Sequence, residues 1–187
     1  MRFVTKIGAA GLAGASATLL AVVPAQASTA GHGPGGRISG PEFLAGSVRG
    51  PAAISNSPTI PLKLSGLVST FGATNLGGNS THRTVFTFKG RIFVVTFPNT
   101  QTSSSFVNPR NCFAVVTQRE AFRVVGGTGV FWGASGPGQV RITFGAFVPR
   151  KRNGRCDVNA GPVTSRGAFI RFFAVVTPLT IRIHHHM

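Results

Sequence analysis

Along residues 139–148 the even positions carry Val140, Ile142, Phe144, Ala146 and Val148, while the odd positions begin with Gln139, Arg141 and Thr143. A period of two places these sets on opposite faces of a pleated strand. One face is then core and the other wet, as in an antiparallel sheet. Ala168, Ile170, Phe172, Ala174 and Val176 form a comparable line. Here, though, Phe169, Phe173 and Val175 stand opposite, as Phe93, Val95 and Phe97 do in an earlier run. Apolar residues on both faces imply a second packing layer, a self-association surface that would make a homo-oligomer, or an apolar lumen.

Similar runs, dense in Val, Ile, Phe and Thr, occur at 62–71, 84–97, 112–125, 166–177 and 179–183. These residue types suit a pleated surface. Gly90 interrupts the second run and predicts a bulge or a break into two strands. No window after residue 27 shows helical periodicity with caps. Several short strands between Gly, Pro and Asn clusters predict an all-β sandwich or barrel over 59–183. Residues 184–187, three histidines and a methionine, read as a tail.

The texture before residue 59 is different. Residues 28–58 hold Gly-His-Gly-Pro-Gly-Gly at 31–36, Gly-Pro at 40–41 and Gly-Pro at 50–51. Such a stretch predicts a flexible leader, because it buries too little surface to offset its ordering entropy. Phe43, Leu44 and Ile54 are its points of local docking. Residues 1–27 carry Arg2 and Lys6, then an uncharged Ala/Gly/Leu/Val run, then Pro24-Ala25-Gln26-Ala27. That is the layout of a secretory signal peptide cleaved near Ala27, giving a secreted, extracellular protein with no transmembrane segment. A retained membrane anchor is the rival, but the run is rich in glycine and short for a bilayer.

Charge changes the picture next. Nineteen Lys and Arg residues face three acids, Glu42, Glu120 and Asp157, for a formal net charge of +16. Arginine far outnumbers lysine, and its fork suits phosphate and carboxylate oxygens. An imbalance of this size predicts attraction to an anionic polymer or cell-wall surface. The plainer alternative is a charge that only keeps the chain soluble. The two cysteines, Cys112 and Cys156, are most simply a disulfide in an oxidising compartment. Closing so long a loop is worth about 4 kcal/mol by chain entropy. No His-Cys spacing suggests a metal site, and no motif calls for a cofactor.

The stretch Gly126-Gly127-Thr128-Gly129-Val130-Phe131-Trp132-Gly133-Ala134-Ser135-Gly136-Pro137-Gly138 is neither a dinucleotide fingerprint nor a phosphate loop. Its glycines predict tight turns and close backbone approach, with Phe131 and Trp132 as anchors. It resembles the Gly-Gly-Thr-Gly-x-Phe-x-Gly-Ala-x-Gly-x-Gly signature of small secreted actinobacterial proteins of the allene oxide cyclase and dirigent type. The likeness runs over about residues 60–178, with 61–66 similar to the opening strand and 86–90 to the second. Cys112 and Cys156 also fall where those proteins place theirs. The resemblance implies a single antiparallel β-barrel of eight strands after a flexible N-terminal leader, with an apolar cavity. In that family such a cavity steers radical coupling or ring closure, although a shared fold does not carry chemistry with it. A two-sheet sandwich is the structural alternative.

Candidate sites are few. Glu120 is the sole acid in an expected strand and shares parity with Val116, Gln118, Phe122 and Val124. An inward carboxyl in an apolar setting suits acid–base catalysis; the competing reading is a pair with a neighbouring arginine. Arg150, Lys151, Arg152 and Arg155 cluster at an expected hairpin tip and form a candidate polyanion patch, or else a solvated loop. No aromatics interleave with them, so sequence-specific nucleic-acid reading is not expected. There is no nucleophile elbow and almost no acid to complete a triad, which argues against hydrolase chemistry. The leading expectation is a non-catalytic binder of a small apolar molecule. The alternatives are a dirigent- or cyclase-like enzyme using Glu120 and a cationic protein adhering to anionic polymers.

Overall fold

In the computed structural model the described residues are 36–76 and 82–182, with the backbone of 28–30. Residues 1–27, expected to be a signal segment, residues 31–35 of the expected leader and the 184–187 tail lie outside them. The fold is all-β. A short strand β1 (Ser28–Ala30) precedes β2 (Arg37–Arg49), β3 (Thr59–Gly66), β4 (Thr70–Asn75), β5 (Arg83–Thr87), β6 (Arg91–Asn108), β7 (Phe113–Gly127), β8 (Gly136–Phe147) and β9 (Thr164–Arg182). Each strand pairs antiparallel with the next, and β9 pairs with β2. Strands β2 to β9 therefore make a closed ring of eight; beyond Val95 the long strand β6 has a ladder with β7 alone.

The expected runs map onto this ring with informative changes. The 62–71 run is two strands, β3 and β4, joined by a turn at 67–69. Gly90 does break the 84–97 run, but β6 continues to Asn108. The 166–177 and 179–183 runs are one strand, β9, whose register slips across the Gly40–Glu42 step of β2.

The largest correction concerns the leader. The ring begins at Arg37, not at residue 59, because β2 is the strand that closes it. Its even positions, Ile38, Glu42, Leu44 and Val48, pair by register with Ile181, Val176, Ala174 and Ile170 of β9. Leu44 is fully buried. Entropy was expected to keep this glycine-bearing stretch loose. A strand held between two neighbours, β3 and β9, gains a ladder on each side, and that outweighs its modest apolar content.

Inside the ring the side chains pack as a continuous core. Leu44, Ile60, Leu62, Leu64, Ile170 and Leu179 are essentially without solvent contact. Phe86 of β5 meets Phe122 of β7 edge-on at 6.3 Å and Phe172 of β9 at 5.8 Å. These three strands are not neighbours, so the rings reach one another across the lumen and plug it. Offset and edge-on pairs of this kind stabilise beyond area burial alone. Phe122 also lies over Gly138, where a Cβ would collide with the ring. Of the two expected anchors in the glycine-rich stretch, Phe131 is fully buried against Phe88, whereas Trp132 is half exposed.

Cys112 and Cys156 form a disulfide. It ties the β6–β7 turn to the 148–163 loop. No helix among the described residues is long and apolar enough to cross a membrane.

Candidate functional site: a sealed interior and a cationic outer wall

The strand periodicity sorts charge by face. Glu42 on β2 and Glu120 on β7 both occupy inward positions, Glu42 beside Leu44 and Glu120 beside Phe122. The third acid, Asp157, sits in the 148–163 loop, 3.6 Å from the Lys151 ammonium. The outer face of the described strands thus carries no carboxylate at all. It carries Arg119 and Arg123 of β7, Arg141 of β8, Arg171 of β9, Arg49 of β2 and Lys63 of β3, all exposed.

The register aligns these side chains into rungs across the ring. One rung runs Thr102, Arg119, Arg141, Phe173, Ala45, Lys63, Phe71. Arg119 and Arg141 are direct cross-strand partners. The Arg141 guanidinium lies 5.9 Å from the Phe173 ring centre, and Arg171 lies 5.1 Å from that of Phe169. These cation–π contacts hold the guanidinium groups against the rings of the wall. At the far end of the strands Arg37 and Arg182 are likewise directly opposed and exposed. Like charges facing each other across a ladder destabilise it. No acid stands nearby in either rung to offset them.

The outer wall also bears two open clefts. The larger, about 420 Å³, is lined by Phe97, Ala121, Phe122, Arg123, Pro137 and Gly138, with Gln139, Val175 and Thr177. The smaller, about 230 Å³, lies between Arg49, Phe169 and Arg171. Neither is in the lumen.

The expected site residues fare differently. Glu120 faces inward as its parity predicts, opposite Val140, but it is half-buried and not sealed. It makes no ion pair with an arginine of the described strands. The basic loop is partly spoken for. The Arg150 guanidinium donates to the carbonyls of Gly154 at 2.7 Å, Pro109 at 3.1 Å and Arg110 at 2.6 Å. It therefore fastens the same two loops that the disulfide joins. Lys151 is engaged with Asp157, which leaves Arg152 and Arg155 projecting into solvent. Among the described residues no cluster of His, Cys, Asp and Glu could hold a metal ion.

The residue that sequence reasoning passed over is Glu42. It has no solvent exposure. One carboxyl oxygen, Oε2, accepts the Val68 amide at 3.1 Å, and Oε1 has no partner among the described residues. Burial pushes its pKa from 4.5 up to about 7, against the opposing pull of the Val68 and Leu67 amides. The turn at 67–69 and Gly66 form its cover. Gly66 has φ 141°, and a side chain there would strike the Pro41 carbonyl and Glu42 itself. The available signal was parity, since Glu42 falls in line with Ile38, Leu44 and Val48. No protein-family model, curated protein or solved structure matches the chain significantly.

Proposed function

We propose that this protein is a secreted, non-catalytic ring that adheres to anionic polymers through the outer wall of β7, β8, β9 and β2. The observation that carries the reading is the directly opposed Arg119–Arg141 pair on a face with no carboxylate. A protein that leaves such a pair uncompensated is stabilised when an anion bridges it. The formal charge of +16 would draw a polyanion from a distance, and forked guanidinium groups would grip it on contact. A disulfide and the layout of residues 1–27 support an extracellular setting. The Phe86–Phe122–Phe172 plug favours a partner on the outside over a small apolar ligand or cyclase-type chemistry within the lumen.

A short DNA duplex serves as a generic polyanion to test this. Binding should be measurable at low salt and fall steeply as salt rises, through counterion release. Replacing Arg119, Arg141 and Arg171 with Ser should weaken binding at least tenfold and flatten the salt slope by roughly 0.7–0.9 per lost phosphate contact. Replacing Arg152 and Arg155 should matter less. Equal affinity of the wall variant and the parent would sink the proposal, as would a parent that binds nothing at low salt.

A further inference from the structure

We infer that the 420 Å³ cleft on the outer wall is a subsite for one sugar unit bearing a sulfate or phosphate. This rests on the polymer-binding reading and specifies what the wall recognises. The cleft follows one outward rung, Ala121, Gln139 and Val175, in which a short and an apolar side chain flank the Gln139 amide. The adjoining rung on one side carries Arg119 and Arg141, and that on the other carries Arg123 opposite Pro137. A trough with apolar surface at Ala121, Pro137 and Val175 and a central Gln139 amide thus lies between two cationic rims. Its edge on β6 is fixed, because the Thr100 hydroxyl donates to the Phe97 carbonyl at 2.7 Å and accepts the Ala121 amide at 2.9 Å. That pair of bonds pins the irregular step at 97–102 against β7.

The chemistry of the lining selects the ligand class. A bare polyphosphate has no use for the apolar surface of Ala121, Pro137 and Val175. A sugar ring presents a C–H face to such surface and hydroxyls at its edges, which the Gln139 amide and the Thr177 hydroxyl can meet. An anionic substituent then reaches Arg123 on one rim or the Arg119–Arg141 pair on the other, both of which offer forked contacts.

The test compares a heparin-derived hexasaccharide with inorganic polyphosphate of similar charge. Gln139→Trp and, separately, Ala121→Phe fill the trough without removing a cation. Each should weaken hexasaccharide binding at least tenfold with the salt slope preserved, and should leave polyphosphate binding within about twofold of the parent. As a measurement that needs no variant, the methyl signals of Ala121 and Val175 in the labelled parent should shift with hexasaccharide and not with polyphosphate. Unchanged methyl signals, or equal loss of both ligands in the filled variants, would overturn the subsite. If the parent bound neither anion, the polymer reading would fall as well. If it bound both but left the methyl signals still, only the subsite would fall.

Discussion

The two faces of this one sheet have opposite characters. The inner face holds both strand carboxylates and no buried Lys or Arg among the described residues; the outer face holds the strand cations and no acid. A protein balancing its own charges would interleave them on the outside, where cross-strand pairs of opposite sign are favourable. Here the inner acids lie behind the wall, and the outward arginines face each other. The stability of the ring is therefore set from within, by packing, while the outward arginines face no carboxylate of the described strands.

Phe172 and Phe173 put the contrast on adjacent residues. Phe172 is 4% exposed in the lumen plug and Phe173 is 41% exposed under Arg141. Phe172→Ala should cost about 3–5 kcal/mol in denaturant unfolding, because it leaves a cavity that the closed ring cannot collapse. Phe173→Ala should cost less than about 1 kcal/mol, and its effect should appear in polymer affinity. Comparable stability losses for the two would break the division between faces.

Glu42 gives the next largest effect. Its folded pKa of about 7 lies above the ordinary 4.5, so between these values the folded state holds a proton that the unfolded chain has released. Stability should be fullest below about pH 4.5, fall as pH rises to about 7 and level off above it. The span is on the order of 3 kcal/mol at 1.36 kcal/mol per pKa unit. Glu42→Gln should flatten that decline and be the more stable form at pH 8. A parent whose melting temperature does not change between pH 4.5 and 7.5 would contradict the buried, half-partnered carboxyl.

The smallest effect is on the wall. Arg141→Glu places an acid directly opposite Arg119 and should add about 0.5 kcal/mol of stability while weakening polyanion binding. A stability gain without a binding loss would separate the charge pattern from function.

Much of this ring was legible from alternation alone where the two faces differ. Residues 139–148 and the 168–176 line read directly, and Gly90 marked a true strand end. The inward parity of Glu120 was equally visible. The first ring strand was not, because Gly40, Pro41 and Gly46 dilute its apolar signal and its partner β9 lies far along the chain. With β2 hidden, Glu42 passed for a residue of a loose leader and the sealed carboxyl went unnoticed. The arginine rungs were unreadable for a related reason. Arg119 and Arg141 become neighbours only through the β7–β8 register, which a single sequence does not state. The basic loop drew the eye by its density, yet Arg150 is occupied in joining two loops and Lys151 is paired with Asp157 in its own loop.

Closure of the ring also has a consequence in time. Arg37 of β2 pairs with Arg182 and Arg49 with Phe169, so the seam joins almost the first and the last residues of the described chain. Such distant pairings make a fold slow to form, since the loop entropy must be met before the contacts return it. A ribosome that still holds β9 also holds the ring open, so closure waits until that strand is free.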